Sequence, residues 1–133
     1  MQHREMISSH PDVQGNTAEA LLRCIEECYN CAQTWTSCAD ACLAEEMVNQ
    51  LKQCIRLNLD CADICATTGA MASRRTGSNE QILRQVIEAC AAACRVCGDE
   101  CEKHAQHHEH CGICAQACRR CEQACQEATK VVG

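Results

Sequence analysis

The sequence has very few large side chains with which to fill a protein interior. Phenylalanine is absent, and Trp35 and Tyr29 are the only tryptophan and tyrosine. The chain of 133 residues has the length of one domain, but much of its apolar fraction is alanine and cysteine. An ordinary hydrophobic core would therefore be weak, and something other than aromatic packing must hold the interior together.

Clusters of positive charge and long apolar runs are also missing. The formal net charge is −6 at pH 7, and no cluster of Lys and Arg is larger than a pair. Phosphate recognition needs a basic surface, so nucleic acid is not an expected partner. Residues 1–15 contain no apolar run of the length that a signal peptide needs, and no later segment approaches a membrane span. We therefore expect a cytoplasmic protein without a membrane partner.

Cysteine, in contrast, is abundant, with 17 residues. Within residues 90–101 the cysteines are separated by steps of four, three and four residues. At about 100° per residue, four such sulfurs fall within roughly 60° of one helix face. The same rhythm divides all the cysteines into four predicted rows: Cys24, Cys28, Cys31, Cys38 and Cys42; Cys54, Cys61 and Cys65; Cys90, Cys94, Cys97 and Cys101; Cys111, Cys114, Cys118, Cys121 and Cys125.

Four helices joined by short links predict an all-α, antiparallel up-down four-helix bundle with a cysteine-lined core. Asn16 with Glu19, and Ser78 with Gln81, are typical of capping boxes at the starts of the first and third helices. We expect a single domain over 1–133, with an irregular lead-in over 1–15 and helices at about 16–44, 47–73, 79–105 and 111–130.

The up-down topology gives the two ends of the bundle different compositions. Leu21, Leu83 and Ile87 should seal the end that holds the second link, and His104, His107, His108 and His110 gather at the opposite end. His104 and His108 continue the cysteine row of the third helix if that helix persists, so both are predicted metal ligands. The neighbouring His107 and His110 are predicted to be solvated.

Two other residues interrupt the cysteine rows. Trp35 occupies a position in the first row where a sulfur would be expected, and we interpret it as a bulky core filler. Asn58 lies between thiols in the second row, where a buried amide must find partners. It can bond a backbone carbonyl, or its oxygen can contribute to a metal array.

The cysteine pattern favours metal binding over disulfides. In a reducing cytosol dense cysteines indicate metal ligands, and 17 is an odd number. Cysteines three or four residues apart on a helix approach each other with the wrong geometry for an unstrained bridge, although bridges between helices remain open. All the cysteines are therefore predicted metal ligands.

Thiolate-rich sites favour soft or borderline ions, so Cu(I), Zn(II) and iron–sulfur clusters are the candidates. Zinc is usually held by paired C-x-x-C knuckles on turns, whereas each C-x-x-C here continues a helical row. The clustered C-x-x-C-x-x-C loop of ferredoxins is absent. Cu(I) is satisfied by two or three thiolates and tolerates bridging sulfurs, which a row of cysteines supplies. We therefore predict many Cu(I) ions per chain.

The cysteine rows, with Cys-Ile-Arg-Leu-Asn-Leu-Asp-Cys at 54–61 and His-Glu-His-Cys-Gly-Ile-Cys at 108–114, carry a family resemblance. The chain resembles the copper storage proteins, specifically their cytosolic branch. The resemblance implies a homotetramer of cysteine-lined bundles that hold many Cu(I) ions. Trp35 departs from the pattern, because related sequences can carry another cysteine there.

A second apolar stripe on the second helix is the predicted subunit contact. Val48, Ile55, Leu59 and Ala62 lie roughly 100° from the cysteines of that helix. Packing against the flank of the same bundle is the alternative. A copper chaperone or an efflux donor is expected as a further partner.

Other functions are weighed against high-capacity storage. A Zn/Cd-binding, metallothionein-like store and a copper chaperone remain open, although a chaperone needs only one exchangeable site. A thiol oxidoreductase needs one or two activated, exposed cysteines rather than 17 repeated ones. No set of nucleophile, base and orienting group stands out, so an enzyme is not expected.

Overall fold

The computed structural model describes residues 1–13 and 15–132, and within these ranges the regular structure is helical. A short 3₁₀ helix (Val48–Gln50) precedes the second long helix. The α-helices are α1 (His3–Ser8), α2 (Glu19–Leu43), α3 (Lys52–Ser73), α4 (Glu80–Glu102) and α5 (Glu109–Thr129).

The four long helices form the predicted bundle. Helix α2 packs against α3 and α5, and α4 packs against the same two helices, so the long helices close a ring around one axis. Short links join successive helices, which makes neighbours along the ring antiparallel. The prediction of an all-α bundle is confirmed. Over the described residues, no helix is both long enough and apolar enough to cross a membrane.

The lead-in differs from the irregular segment that the sequence predicted. Helix α1 forms because it has contacts with α2: Ile7 is buried, and the Arg4 guanidinium donates to the carboxylates of Glu19 at 2.8 Å and Glu26 at 3.5 Å. Tertiary contacts thus stabilise a helix that is too short to persist alone. The predicted lead-in and domain also include residues 14 and 133, which lie outside the described residues.

The two predicted capping boxes are wrong. Helix α2 begins at Glu19 rather than at Asn16, and Ala18 precedes it in an extended conformation without a side-chain cap. The Glu19 carboxylate pairs with Arg4. Helix α4 begins at Glu80 after Asn79, whose amide donates to the Met71 carbonyl at 3.5 Å. Contacts with neighbouring segments have replaced the local caps in both helices.

Cysteine is the most frequent residue in the interior of the bundle. All 17 cysteines are buried as free thiols. Trp35 is fully buried among them, which confirms its interpretation as a core filler. Gly98 lets α4 approach α5 closely, because a Cβ there would lie 3.1 Å from the Cβ of Cys118. The small residues of the core therefore allow α4 and α5 to pack closely.

One end of the bundle is closed by aliphatic side chains, as predicted. Leu21, Leu83 and Ile87 are 4%, 1% and 0% exposed, respectively. Val132 covers the same end and is also buried. His104, His107, His108 and His110 lie at the opposite end, near the turn between α4 and α5. Access to the thiols is thus expected only away from the aliphatic end.

Truncating an aliphatic side chain at the closed end should destabilise the metal-free protein. Ile87→Ala should lower the free energy of unfolding by about 2–5 kcal/mol, because the fully buried side chain leaves a cavity. The matched control is Ile82→Ala on the same helix, where the side chain is 61% exposed and the change should stay within about 0.5 kcal/mol. Urea unfolding of reduced, metal-free protein measures both. Equal losses in the two variants would contradict the assigned burial.

Candidate metal centre

Sulfur atoms from all four long helices meet in the half of the bundle near the aliphatic end. The Sγ atoms of Cys28, Cys90, Cys121 and Cys125 lie within 4.8 Å of one another. A second group with the same spacing consists of Cys65, Cys90, Cys94 and Cys121. Cys90 and Cys121 belong to both groups, so the sulfur array is continuous there.

The shortest distances in this array join different helices. The Sγ of Cys65 lies 3.0 Å from that of Cys90, and the Sγ of Cys28 lies 3.8 Å from that of Cys90. Cys24 extends the array, with its Sγ 3.7 Å from that of Cys125. A soft ion placed between these sulfurs would therefore have ligands from several helices at once.

Asn58 lies among thiols in the middle of the bundle. Its Oδ1 accepts from the Sγ atoms of Cys97 at 3.0 Å, Cys101 at 3.4 Å and Cys114 at 3.6 Å, and its Nδ2 donates to Cys54 at 3.8 Å. The side chain is fully buried. Of the two roles considered for this amide, bonding to a backbone carbonyl is not the one observed. Its oxygen faces the sulfur array.

A mixed group of sulfur and imidazole lies at the histidine end. The Nδ1 of His110 is 3.4 Å from the Sγ of Cys38 and 3.7 Å from that of Cys111, and Cys42 completes the group. The prediction that His110 is solvated is therefore wrong. His110 precedes Cys114 by four residues, so the helical period that defined the row could have revealed it.

His104 and His108 lie elsewhere than the sequence predicted. Helix α4 ends at Glu102, so the cysteine row of α4 does not continue to either residue. The Nε2 of His104 is 3.0 Å from a carboxylate oxygen of Glu100. His108 has extended backbone at the start of α5. Among the described residues, His108 shares a potential metal-ligand group with Glu45 and His110, whereas His104 belongs to none.

Glu45 connects the two histidines of this group. Its Oε2 lies 2.8 Å from the Nδ1 of His108 and 2.8 Å from the Nε2 of His110, and the two rings stack with centroids 5.6 Å apart. When the His110 Nε2 donates to Glu45, its Nδ1 presents a lone pair to Cys38 and Cys111. This arrangement of carboxylate, imidazole and metal-facing nitrogen is typical of metal-binding histidines.

Burial and neighbouring groups control protonation in the centre. Burial raises the pKa of Cys61 to about 11 and that of Cys42 to about 12, so both thiols are neutral at pH 7. Burial opposes a charged His110 ring, but hydrogen bonds with Cys38 and Glu45 outweigh it and raise the pKa of His110. A metal ion that binds these thiols must therefore displace protons.

These features define a class of protein: a helical bundle whose interior is a connected array of thiols able to bind soft metal ions. Residues 17–130 match the model of the copper storage protein family, Csp. The chain belongs to the copper storage protein family.

Solved structures of relatives have the same fold. The copper storage protein Ccsp from Streptomyces lividans, loaded with 10 copper equivalents, is 52% identical over 96% of this chain and 98% of that chain, with a TM-score of 0.91. A structure of the cytosolic copper storage protein from the same organism with five coppers is 56% identical over 86% and 96% of the two chains, with a TM-score of 0.84.

Relatives with lower sequence identity also match this chain. The Cu(I)-bound copper storage protein BsCsp3 is 37% identical over 81% of this chain and 96% of that chain, with a TM-score of 0.70. An uncharacterized cysteine-rich protein of Bacillus subtilis, YhjQ, is 38% identical over 70% of this chain and 81% of its own length. The family resemblance read from the cysteine rows is confirmed.

Replacing Glu45 should change the protonation of His110. In the Glu45→Gln variant the pKa of His110 should fall, because the carboxylate that favours the charged ring is gone and burial still opposes that charge. Glu46→Gln, at the exposed neighbouring position, is the control and should leave that pKa unchanged. NMR titration of the imidazole carbon-bound protons measures it in reduced, metal-free protein. An equal shift in both variants would contradict the assigned contact.

Proposed function

We propose that this chain stores Cu(I) at high capacity, with thiolates along the inside of the bundle as ligands. The observation that supports this function best is the sharing of Cys90 and Cys121 between two four-sulfur groups. Cu(I) accepts two or three thiolates and tolerates sulfurs that bridge ions, so shared sulfurs suit a chain of Cu(I) ions. Structural zinc is instead usually held in separate, closed sets of four ligands.

The proposed ligands are the 17 cysteines, the oxygen of Asn58 and the histidines at the open end, which is the end of the bundle opposite the aliphatic side chains. Asn58 is supported by the three thiols that surround its oxygen. His110 is supported by its distances to Cys38 and Cys111. His104 and His108 stay predicted auxiliary ligands, which would have to leave Glu100 and Glu45 to bind an ion.

Storage also fits the absence of any selected single site among the described residues. A copper chaperone needs only one exchangeable site. The bundle instead contains several potential metal-ligand groups, and these include the group with Cys38 and the group with Cys125. Copper storage proteins form a storage family rather than an enzyme family, and we infer that the chain performs no catalysis. A zinc or cadmium store is the remaining alternative, and metal competition decides it.

We further propose a cytoplasmic location and exchange of copper with a chaperone or an efflux protein. The location is supported by the description of the Streptomyces lividans relative as cytosolic. Mostly neutral buried thiols would each lose a proton when Cu(I) binds, so loading leaves the charge of the interior nearly unchanged. The protein can therefore fill without accumulating charge in its core.

Anaerobic titration of the reduced, metal-free protein with Cu(I) tests the storage function. We expect saturation at about one Cu(I) per cysteine, because each thiolate can bridge two ions while each ion takes two sulfurs. The His104→Ala/His108→Ala double variant is the control and should keep most of this capacity, because the inner thiols remain. Saturation near one ion would indicate a chaperone, and saturation near four would indicate closed tetrathiolate sites.

The homotetramer is a separate proposal, supported by the exposed apolar side chain of Leu59 on α3, which is 46% exposed. Ile55 packs partly against the core of its own bundle, so Leu59 is the better test. Leu59→Glu should reduce the mass from four chains of 14.6 kDa to a smaller assembly, because a charge would be buried at the contact. Val96→Glu, at a 47% exposed position on α4, is the control. Light scattering measures both, and an unchanged mass in Leu59→Glu would contradict this contact.

A further inference from the structure

One cross-section of the bundle, in the half near the aliphatic end, is a ring of sulfur atoms. Each long helix contributes one buried thiol to this ring: Cys28, Cys65, Cys90 and Cys121. Successive Sγ atoms around the ring lie 3.0–3.9 Å apart. The thiols that extend it are those of Cys24, Cys94 and Cys125. We call this set of thiols the inner section.

A second set of thiols, the outer section, lies near the histidine end and also includes all four long helices. The Sγ of Cys54 on α3 lies 3.9 Å from that of Cys101 on α4. Cys38 and Cys42 of α2 belong with Cys111 of α5 to one potential metal-ligand group. The Cys54 thiol also interacts with Cys111. The two halves of the bundle thus each contain thiols from every long helix.

Trp35 lies between these two sections. One turn before it on α2, the Sγ of Cys31 donates to the carbonyl of Ala117 on α5 at 3.0 Å. Because α2 and α5 are antiparallel, the residue one turn later on α2 is level with the residue one turn earlier on α5. Trp35 is therefore level with Cys114.

Asn58 and Cys97 complete this middle section. The Asn58 oxygen accepts from Cys97 at 3.0 Å and from Cys114 at 3.6 Å, so all three residues share one level. Each long helix again contributes one side chain, but only α4 and α5 contribute sulfur. The indole of Trp35 provides no ligand, because its nitrogen is a hydrogen-bond donor only. The sulfur array therefore narrows at this level.

We propose that Trp35 divides the copper store into two compartments, an outer one that exchanges Cu(I) rapidly through the open end and an inner one that retains it. This inference rests on the proposed storage function and adds a division of the stored copper to it. The indole is fully buried, and packed interiors have few voids larger than a water molecule. An ion passes the indole only when the core opens locally. Aliphatic side chains close the far end, so inner ions leave through the middle section.

Copper moves between the sections by ligand exchange without a redox step. In each step Cu(I) forms a bond to the next sulfur, and its bond to the previous sulfur breaks. The proton of the newly bound thiol passes to the vacated thiolate, so charge and atoms balance. Cys61 hydrogen-bonds with Cys94 of the inner section and with Cys97 of the middle section. The remaining connection therefore runs along α3 and α4, and Trp35 obstructs the side of α2.

Copper removal from the fully loaded protein tests this division. Excess bathocuproine disulfonate, which forms a coloured Cu(I) complex, is added under anaerobic conditions, and the colour is followed. The parent protein should lose copper in two phases of similar amplitude, because both sections contain thiols from all four long helices. Trp35→Cys replaces the obstruction by a ligand, so it should accelerate the slow phase at least about tenfold. Trp35→Phe keeps a bulky ring and should retain both phases.

Two cysteine variants assign the phases to the sections. Cys42→Ser should lower the amplitude of the fast phase, because its sulfur belongs to the outer section. Cys125→Ser should lower the amplitude of the slow phase, because its sulfur belongs to the inner section.

Ile87→Ala is the control for lost core volume. It removes a fully buried side chain at the closed end but leaves the middle section intact, so the slow phase should change less than about twofold. Trp35→Leu, which removes only part of the bulk, replaces Trp35→Cys if that variant does not fold, and it should also accelerate the slow phase.

Four results would each overturn the division of the store. They are a single phase in the parent, an unchanged slow phase in the variants that reduce Trp35, loss of amplitude from the opposite phase in the cysteine variants, and equal acceleration in Ile87→Ala. Total copper per chain is measured on the same samples before the chelator is added. Full capacity together with any of these results would overturn the division alone. A capacity of only a few ions would overturn the storage function itself.

Discussion

Burial of neutral thiols is the physical constraint on which the structure depends. A protonated cysteine packs as a small apolar group, so neutral thiols can line an interior without bringing charge into it. Burial raises the pKa of Cys61 and of Cys42, which stabilises the neutral form that folding requires. Metal binding uses the same sulfurs as thiolates, because a bound cation replaces the proton. Folding without metal and storage of metal are thus compatible in one core.

One end of the bundle is closed by aliphatic side chains, and the opposite end gives access to the thiols. Leu83 and Ile87 supply the large buried side chains that a core of sulfur and alanine lacks, and they close one end. The other end contains polar groups that a passing ion could bind, including His110 and Glu45. Stability and exchange therefore depend on different residues, so changes at the open end can alter rates without removing the aliphatic packing.

The cysteine rows and the helical bundle could be predicted well from the sequence, whereas helix ends and single side-chain contacts could not. A repeat of three and four residues over many turns defines one helix face, so the cysteine rows and the bundle followed from spacing alone. The capping box at Asn16 failed because Arg4, in a segment expected to be irregular, pairs with Glu19. His104 was misjudged because helix α4 ends at Glu102, and helix ends are poorly determined by pattern.

Asn58 and Trp35 show that the sulfur array also accommodates other side chains. The Asn58 oxygen accepts hydrogen bonds from thiols in the metal-free protein, so a buried amide is satisfied by groups that are proposed copper ligands. When those thiols lose their protons, the same oxygen must find a new donor or a cation. Trp35 fills its place with volume instead, and its buried Nε1 has no partner among the described residues. Loading should therefore alter the environment of Asn58 more than the packing of Trp35, because only the amide exchanges its partners.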